Sequence, residues 1–82
     1  MYETEINTLK KAIILLNNIV VCYASIEELH EIIKRESNKP NTKGFLFTSR
    51  IDYELNIKHE EKYIKQYKEQ YNKLIKWIEL FN

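Results

Sequence analysis

The pattern of apolar and polar positions is clearest in the last third of the chain, from His59 to Phe81. At the helical spacing of about 100° per residue, one face collects the apolar side chains: Ile57, Ile64, Tyr67, Tyr71, Leu74, Ile75, Ile78 and Phe81. The opposite face is basic: Lys58, Lys62, Lys65, Lys73 and Lys76, with Glu69 among them. No Gly or Pro interrupts the run, so the pattern predicts a long amphipathic helix.

Residues 4–36 also have helical periodicity, but with two adjacent apolar rows. The first row is Ile6, Leu9, Ile13, Leu16, Val20 and Tyr23, and the second is Ala12, Leu15, Ile19, Cys22, Ile26, Leu29 and Ile33. Ile14 and Val21 fall on the remaining, otherwise polar side. A helix that is apolar nearly all round is buried on several sides. One antiparallel neighbour cannot cover it, so we expect a third helix or a second subunit, and predict a homodimer.

Two boundaries within this pattern stay open. Ser25 and Glu28 match a capping box, and the apolar rows shift phase nearby. We therefore favour a break or kink at Ala24–Ser25, giving helices over about 3–23 and 26–36, with one long kinked helix as the alternative. Residues 37–44 contain Pro40 and Gly44 and are predicted to form a loop.

Residues 51–57 fit two structures. Ser49 begins a second helix-start pattern, which favours a helix. Yet Ile51, Tyr53, Leu55 and Ile57 alternate with polar residues, as in a strand. A helix would place Ile51 and Leu55 on the lysine side, whereas a lone strand would lack a pairing partner. We expect a helix and keep a short strand as the alternative.

These elements predict one all-α domain covering residues 1–82. It is a bundle of two long, or three, antiparallel helices, completed by dimerisation. Eighty-two residues are too few for more than one domain. A chain of this length buries only a modest fraction of its surface, so a partner would add usefully to its core.

Composition excludes several classes of protein. The formal net charge is +1 and there is a single Cys, so neither a strongly basic nucleic-acid binder nor a disulfide scaffold is expected. The apolar run Ala12–Ala24 is shorter than the roughly 20 residues of a membrane-spanning helix, and Glu3 and Glu5 precede it. We therefore expect a cytoplasmic protein with no membrane contact. Abundant Ile, Lys, Asn and Tyr indicate a low-GC genome.

Candidate chemistry is sparse. Glu27 and His30 have the Glu-x-x-His spacing of half a di-iron site, but no further ligands are fixed by the pattern, and exposed helices often show this spacing. Cys22 lies in an apolar row, where a thiol behaves as a small hydrophobe. No phosphate-binding loop, nucleophile elbow or zinc-finger pattern occurs. The sequence thus predicts no enzymatic activity, no metal and no cofactor.

The candidate partner-binding residues lie in and after the loop: Lys39, Lys43, Phe45, Phe47 and Arg50. They combine positive charge with two aromatic anchors, a composition suited to docking on an acidic protein partner. Phe45 and Phe47 could instead plug the end of the bundle, and both interpretations stay open.

An alternative surface is the lysine face of the last helix, with Lys62, Lys65, Lys73, Lys76 and Trp77. Lysines neutralise phosphates and aromatic rings stack on bases, so this face could bind nucleic acid. Tyr67 and Tyr71, however, belong to the apolar row and point away from the lysines, which favours a solvated basic face.

Together these patterns predict a non-enzymatic small interaction protein that binds another macromolecule. The expected type is a phage or mobile-element regulator or inhibitor of a host protein, such as an anti-defence or immunity protein. The alternative is a nucleic-acid-binding accessory protein. An assembly factor that acts only by oligomerising is a further possibility.

Overall fold

Two long antiparallel helices make up the protein in this computed structural model. The structure describes residues 1–38 and 43–81, and of residues 43–49 it describes the backbone alone. Helix α1 spans Glu3–Ser37 and helix α2 spans Lys43–Ile78. The helices pack against each other as a hairpin of 64 × 15 × 14 Å. The fold is therefore all-α, as predicted from the periodicity.

Side chains at alternating steps of three and four residues join the two helices, and we call this contact the seam. In α1 the seam consists of Glu5, Thr8, Ala12, Leu15, Ile19, Cys22, Ile26, Leu29, Ile33 and Glu36. In α2 it consists of Tyr53, Ile57, Glu60, Ile64, Tyr67, Tyr71, Leu74 and Ile78, and Phe81 continues the spacing after the end of the helix. This average spacing of 3.5 residues keeps one edge of each helix against its neighbour, as in a coiled coil.

The buried core is small. Among the described residues only five hydrophobic side chains are buried, each with 6–8% of its surface exposed: Ala12, Ile19, Cys22, Ile57 and Ile64. Ile19, Cys22 and Ile64 form its centre, with Ile26 and Tyr67 packed against them. A two-helix hairpin offers each helix only one neighbour, so even the seam positions keep one side near water.

Helix α1 runs through Ser25 without interruption, so the expected break between Ala24 and Ser25 is wrong. The apparent phase shift has a simple cause. The first apolar row stops at Tyr23, while the second continues through Cys22, Ile26 and Leu29 in regular steps along α2. A capping box acts only where a helix begins. Here packing against α2 keeps the chain helical across that motif.

The connection between the helices is shorter than the predicted loop. Ser37 belongs to α1, and both Lys43 and Gly44 belong to α2. Pro40 lies outside the described residues.

Residues 51–57 are helical, so the strand alternative is wrong. Tyr53 and Ile57 lie in the seam, while Ile51 and Leu55 are exposed on the outer side of α2. An ion pair between Arg50 Nε and Glu54 Oε1, at 3.1 Å, joins successive helical turns in this segment. The alternation of apolar and polar residues over 51–57 does not require a strand, because a surface helix can carry single exposed apolar residues at little cost.

We predict that Ile64→Ala lowers the free energy of unfolding by about 2–4 kcal/mol, because it removes buried methyl groups from the centre of the seam. Ile51→Ala makes the same chemical change on the same helix at a site that is 46% exposed. This control is expected to cost less than about 1 kcal/mol. Urea titrations followed by circular dichroism measure both. Equal losses for the two variants would contradict the seam as the source of stability.

Candidate functional site

A continuous apolar surface lies on α1 beside the seam, and we call it the α1 stripe. It consists of Ile6, Leu9, Ile13, Leu16, Val20 and Tyr23, whose side chains are 43–64% exposed. Each of these residues comes one residue after a seam position in the sequence. The stripe is therefore rotated by about 100° around the axis of α1 from the side that faces α2. The stripe has the same alternating three- and four-residue spacing as the seam. It therefore has the pattern of a second helix-packing edge that no described residue covers.

The α1 stripe has a defined length. From Ile6 to Tyr23 it extends about 26 Å along the helix axis. The next positions in the same spacing are Glu27 and His30, which are exposed and polar. A contiguous apolar surface of this size, bounded by polar residues, is typical of interaction sites.

Charged and polar side chains border the stripe along both edges. Lys10 and Asn17 separate it from two further exposed apolar residues, Ile14 and Val21. On the α2 side, Lys68 Nζ donates a hydrogen bond of 2.8 Å to the hydroxyl oxygen of Tyr23 and lies 5.4 Å from the centre of its ring. The lysine thus fixes the tyrosine at the end of the stripe and puts a positive charge there.

Two open grooves run along the opposite side of the hairpin, where the helices meet. The larger, of about 620 Å³, is lined by Ser25, Glu28, Leu29, Ile32, Asn56, His59, Glu60 and Tyr63. The smaller, of about 390 Å³, is lined by Lys11, Ile14, Leu15, Gln70, Lys73 and Leu74. Ligand sites are normally concave enough to enclose most of a small molecule, and neither groove does so.

The larger groove contains His59 together with Glu28 and Glu60. Within the described residues, however, no group of three or more His, Cys, Asp or Glu side chains is placed to hold a metal ion. The Glu27 and His30 pair lies elsewhere, on the exposed side of α1 beyond the end of the stripe.

Cys22 is a buried, free thiol in the centre of the seam. The pKa of this thiol is raised from 9.0 to about 11, mainly by burial, and the hydrogen bond with Glu60 and its negative charge contribute in the same direction. A nucleophilic cysteine needs a lowered pKa and access to substrate. Cys22 has neither, and its position is that of a small core residue.

The structure gives only partial information on the residues predicted to bind a partner from the loop. Lys39 lies outside the described residues, and Lys43, Phe45 and Phe47 lie in the first turns of α2, where the backbone alone is described. Arg50 is exposed and forms the ion pair with Glu54. Plugging and docking by the two phenylalanines therefore both stay predictions.

The alternative set for nucleic acid lies on the solvent side of α2. Lys62, Lys65, Lys73, Lys76 and Trp77 are all exposed, and Trp77 is 64% exposed. Tyr67 and Tyr71 lie in the seam. All five residues therefore lie at the surface, and Lys73 also lines the smaller groove.

Sequence reasoning found both apolar rows of α1 but did not decide which row faces α2. A signal was present in the row lengths. The seam row keeps its spacing from Glu5 to Glu36, which matches a partner helix of nearly equal length. The stripe ends at Tyr23, after only half the helix. The shorter row is therefore the one left for another contact.

Helix α1 is also long and apolar enough, by length and composition alone, to cross a membrane; the relevant stretch has a mean hydropathy of 1.5. This differs from the sequence argument, which counted only the run Ala12–Ala24. Signal sequences and the core helices of soluble proteins meet the same criterion, but such core helices are mostly buried, whereas only 17% of this stretch is buried in the hairpin.

Comparisons with known proteins give no family or relative. The chain matches no protein-family model, and searches of curated proteins and of solved structures find no match. The function must therefore be inferred from the surface itself.

We predict that wild-type stability falls between pH 9 and pH 11 by more than that of Cys22→Ala. The pKa of the folded thiol lies above its ordinary value of 9.0, so in this range the unfolded chain loses the proton while the folded chain keeps it. The stabilisation is complete below pH 9 and is lost as pH rises through about 11. Parallel urea titrations across this range measure the difference. Identical pH profiles for both proteins would show that Cys22 is not desolvated in the fold.

Proposed function

We propose that this protein is a non-enzymatic interaction protein that acts by binding another macromolecule through the α1 stripe. The observation that carries the proposal is the stripe itself: six apolar side chains in helix-packing spacing, uncovered on the described surface. The hairpin holds these side chains in fixed relative positions, so little conformational entropy is lost when a partner binds.

Burial of the stripe is a substantial driving force. Covering apolar surface contributes roughly 25 cal/mol per Å², and helix α1 exposes more large apolar side chains than it buries. The residues at the centre of an interface usually contribute most of the binding energy. At the centre of the stripe these residues are Ile13 and Leu16. Tyr23, held by Lys68, provides an anchor with an apolar ring and a polar end.

The shape of the stripe favours a protein as partner. It is narrow, straight and about 26 Å long, which suits an amphipathic helix laid along α1. Within this class we propose a regulator or inhibitor of one host protein, such as an anti-defence or immunity protein of a phage or mobile element.

A second candidate function is nucleic-acid binding by the outer side of α2. It is supported by the exposure of Lys62, Lys65, Lys76 and Trp77 on that side. Phosphate contacts by lysines and base stacking by tryptophan would supply affinity without sequence specificity. The formal net charge of +1 and the exposed Glu69 weaken the electrostatic attraction.

The protein-binding proposal predicts different effects at two adjacent isoleucines. Ile13 lies in the α1 stripe and Ile14 lies outside it, yet both are 58% exposed. We expect Ile13→Glu to weaken partner binding at least about tenfold, because it places a charge in the centre of an apolar contact. Ile14→Glu should leave binding nearly unchanged. The measurement is quantitative capture from cells of the source organism, followed by titration with the purified partner.

Circular dichroism of both variants controls for folding. Equal retention of the same partner by the two variants would place the binding surface elsewhere. Lys43 and Phe47, in the first turns of α2, would then be the next residues to substitute.

For nucleic acid, we predict that a Lys62→Glu and Lys65→Glu double variant abolishes any binding to mixed-sequence single-stranded oligonucleotides. Fluorescence anisotropy measures this, and binding that depends on phosphate contacts must weaken steeply as salt increases. Glu69→Lys, on the same side of α2, is the matched control and should strengthen binding. Absence of binding by the wild type at low salt would remove this candidate.

A further inference from the structure

We infer that the macromolecule that covers the α1 stripe is a second copy of this chain. The two α1 helices would pack antiparallel, with the twofold axis between Ile13 and Leu16. This inference rests on the proposed use of the stripe for binding and names its partner. The resulting dimer has four helices, and its two α2 helices lie on the same side of the α1–α1 contact.

The stripe is complementary to itself in this arrangement. Antiparallel pairing about that axis brings Ile13 against Leu16 of the second copy, Leu9 against Val20 and Ile6 against Tyr23. Every pair is apolar, and all six residues of each copy are used. A twofold interface requires this kind of self-complementarity, because the same patch serves on both sides.

Charge is complementary as well. The N-terminal end of the stripe is acidic, with Glu3 and Glu5 in the first turn of α1. The other end has Lys68 beside Tyr23, and Glu27 takes the next position in the stripe spacing, beyond the paired residues. Antiparallel pairing places the acidic end of one copy against the lysine end of the other. A parallel pair would instead put like charges together at both ends, at an energetic cost.

The available area fits a dimer. Stable interfaces bury at least roughly 600 Å² on each partner. Six half-exposed Ile, Leu, Val and Tyr side chains, with the flanking Lys10 and Asn17, present a surface on the order of that area. The other exposed apolar residues of α1, Ile14 and Val21, are too few for such an interface and lie beyond Lys10 and Asn17.

The first experiment is sedimentation equilibrium of the purified full chain from about 1 to 300 μM. The wild type should show a reversible monomer–dimer equilibrium with a micromolar or lower Kd. Ile13→Glu should weaken it more than tenfold, because the substitution occurs twice per dimer near the axis. Ile14→Glu should remain within about threefold of the wild type.

A charge exchange then tests the ends of the interface. Glu3→Lys and Lys68→Glu should each weaken the dimer by roughly two- to fivefold, as expected for a partly exposed ion pair. The double variant should recover most of this loss. Additive losses in the double variant would overturn the pairing of these ends.

Orientation is tested by spin labels placed at position 3 in a Glu3→Cys, Cys22→Ala variant. The antiparallel dimer puts the two labelled positions about 35 Å apart along the helix axis. A parallel dimer would put them about 10 Å apart, at the interaxial distance of packed helices, and would overturn the antiparallel arrangement.

Two further outcomes would overturn the dimer. In the first, the chain is a monomer at every concentration and binds a different protein, and the Ile13→Glu variant no longer binds that protein. This result would leave the proposed function intact. The other is a monomer that floats with phosphatidylcholine vesicles, which would assign the stripe to a lipid surface. If the chain is a monomer that neither binds another protein nor floats with vesicles, and Ile13→Glu changes none of these measurements, the proposed function is overturned as well.

Discussion

The constraint on which this structure depends is that a helix can present one packing edge to only one neighbour. Helix α2 has a single apolar edge, and the seam uses it completely. Helix α1 has two edges about 100° apart, and the seam uses one. The hairpin therefore covers the apolar edge of α2 and leaves one of the two apolar edges in the first part of α1 in contact with water. The surface proposed to bind a partner results from this difference between the two helices.

The same difference explains why the fold was predictable and the site was not. The periodicity around Ile64 and Tyr67 allows only one buried face, so the existence and orientation of α2 could be predicted from the residues alone. In α1 both rows are rich in apolar residues, and no local rule decides which of them faces α2. Only the length of the partner helix decides that Ile19 and Cys22 are covered and that Ile13 and Leu16 are not.

Local signals failed where long-range packing opposed them. The motif at Ser25 has the residues of a helix start, and the alternation around Tyr53 has the period of a strand. Both segments lie opposite regular seam positions of the other helix, and a continuous seam requires both to be helical. Capping and alternation are each worth about 1 kcal/mol, whereas interruption of the seam would expose several apolar side chains at once.

The thinness of the rod has a consequence for its motion. A hairpin 64 Å long and 15 Å wide is built of layers, each stabilised mainly by the layer before it and the layer after it. Local opening can then begin at the end of the hairpin opposite the helix connection, while Ile19, Cys22 and Ile64 near the middle stay packed. The α1 stripe lies in that half of α1. A helix packed along the stripe would therefore also stabilise this end of the hairpin against local opening.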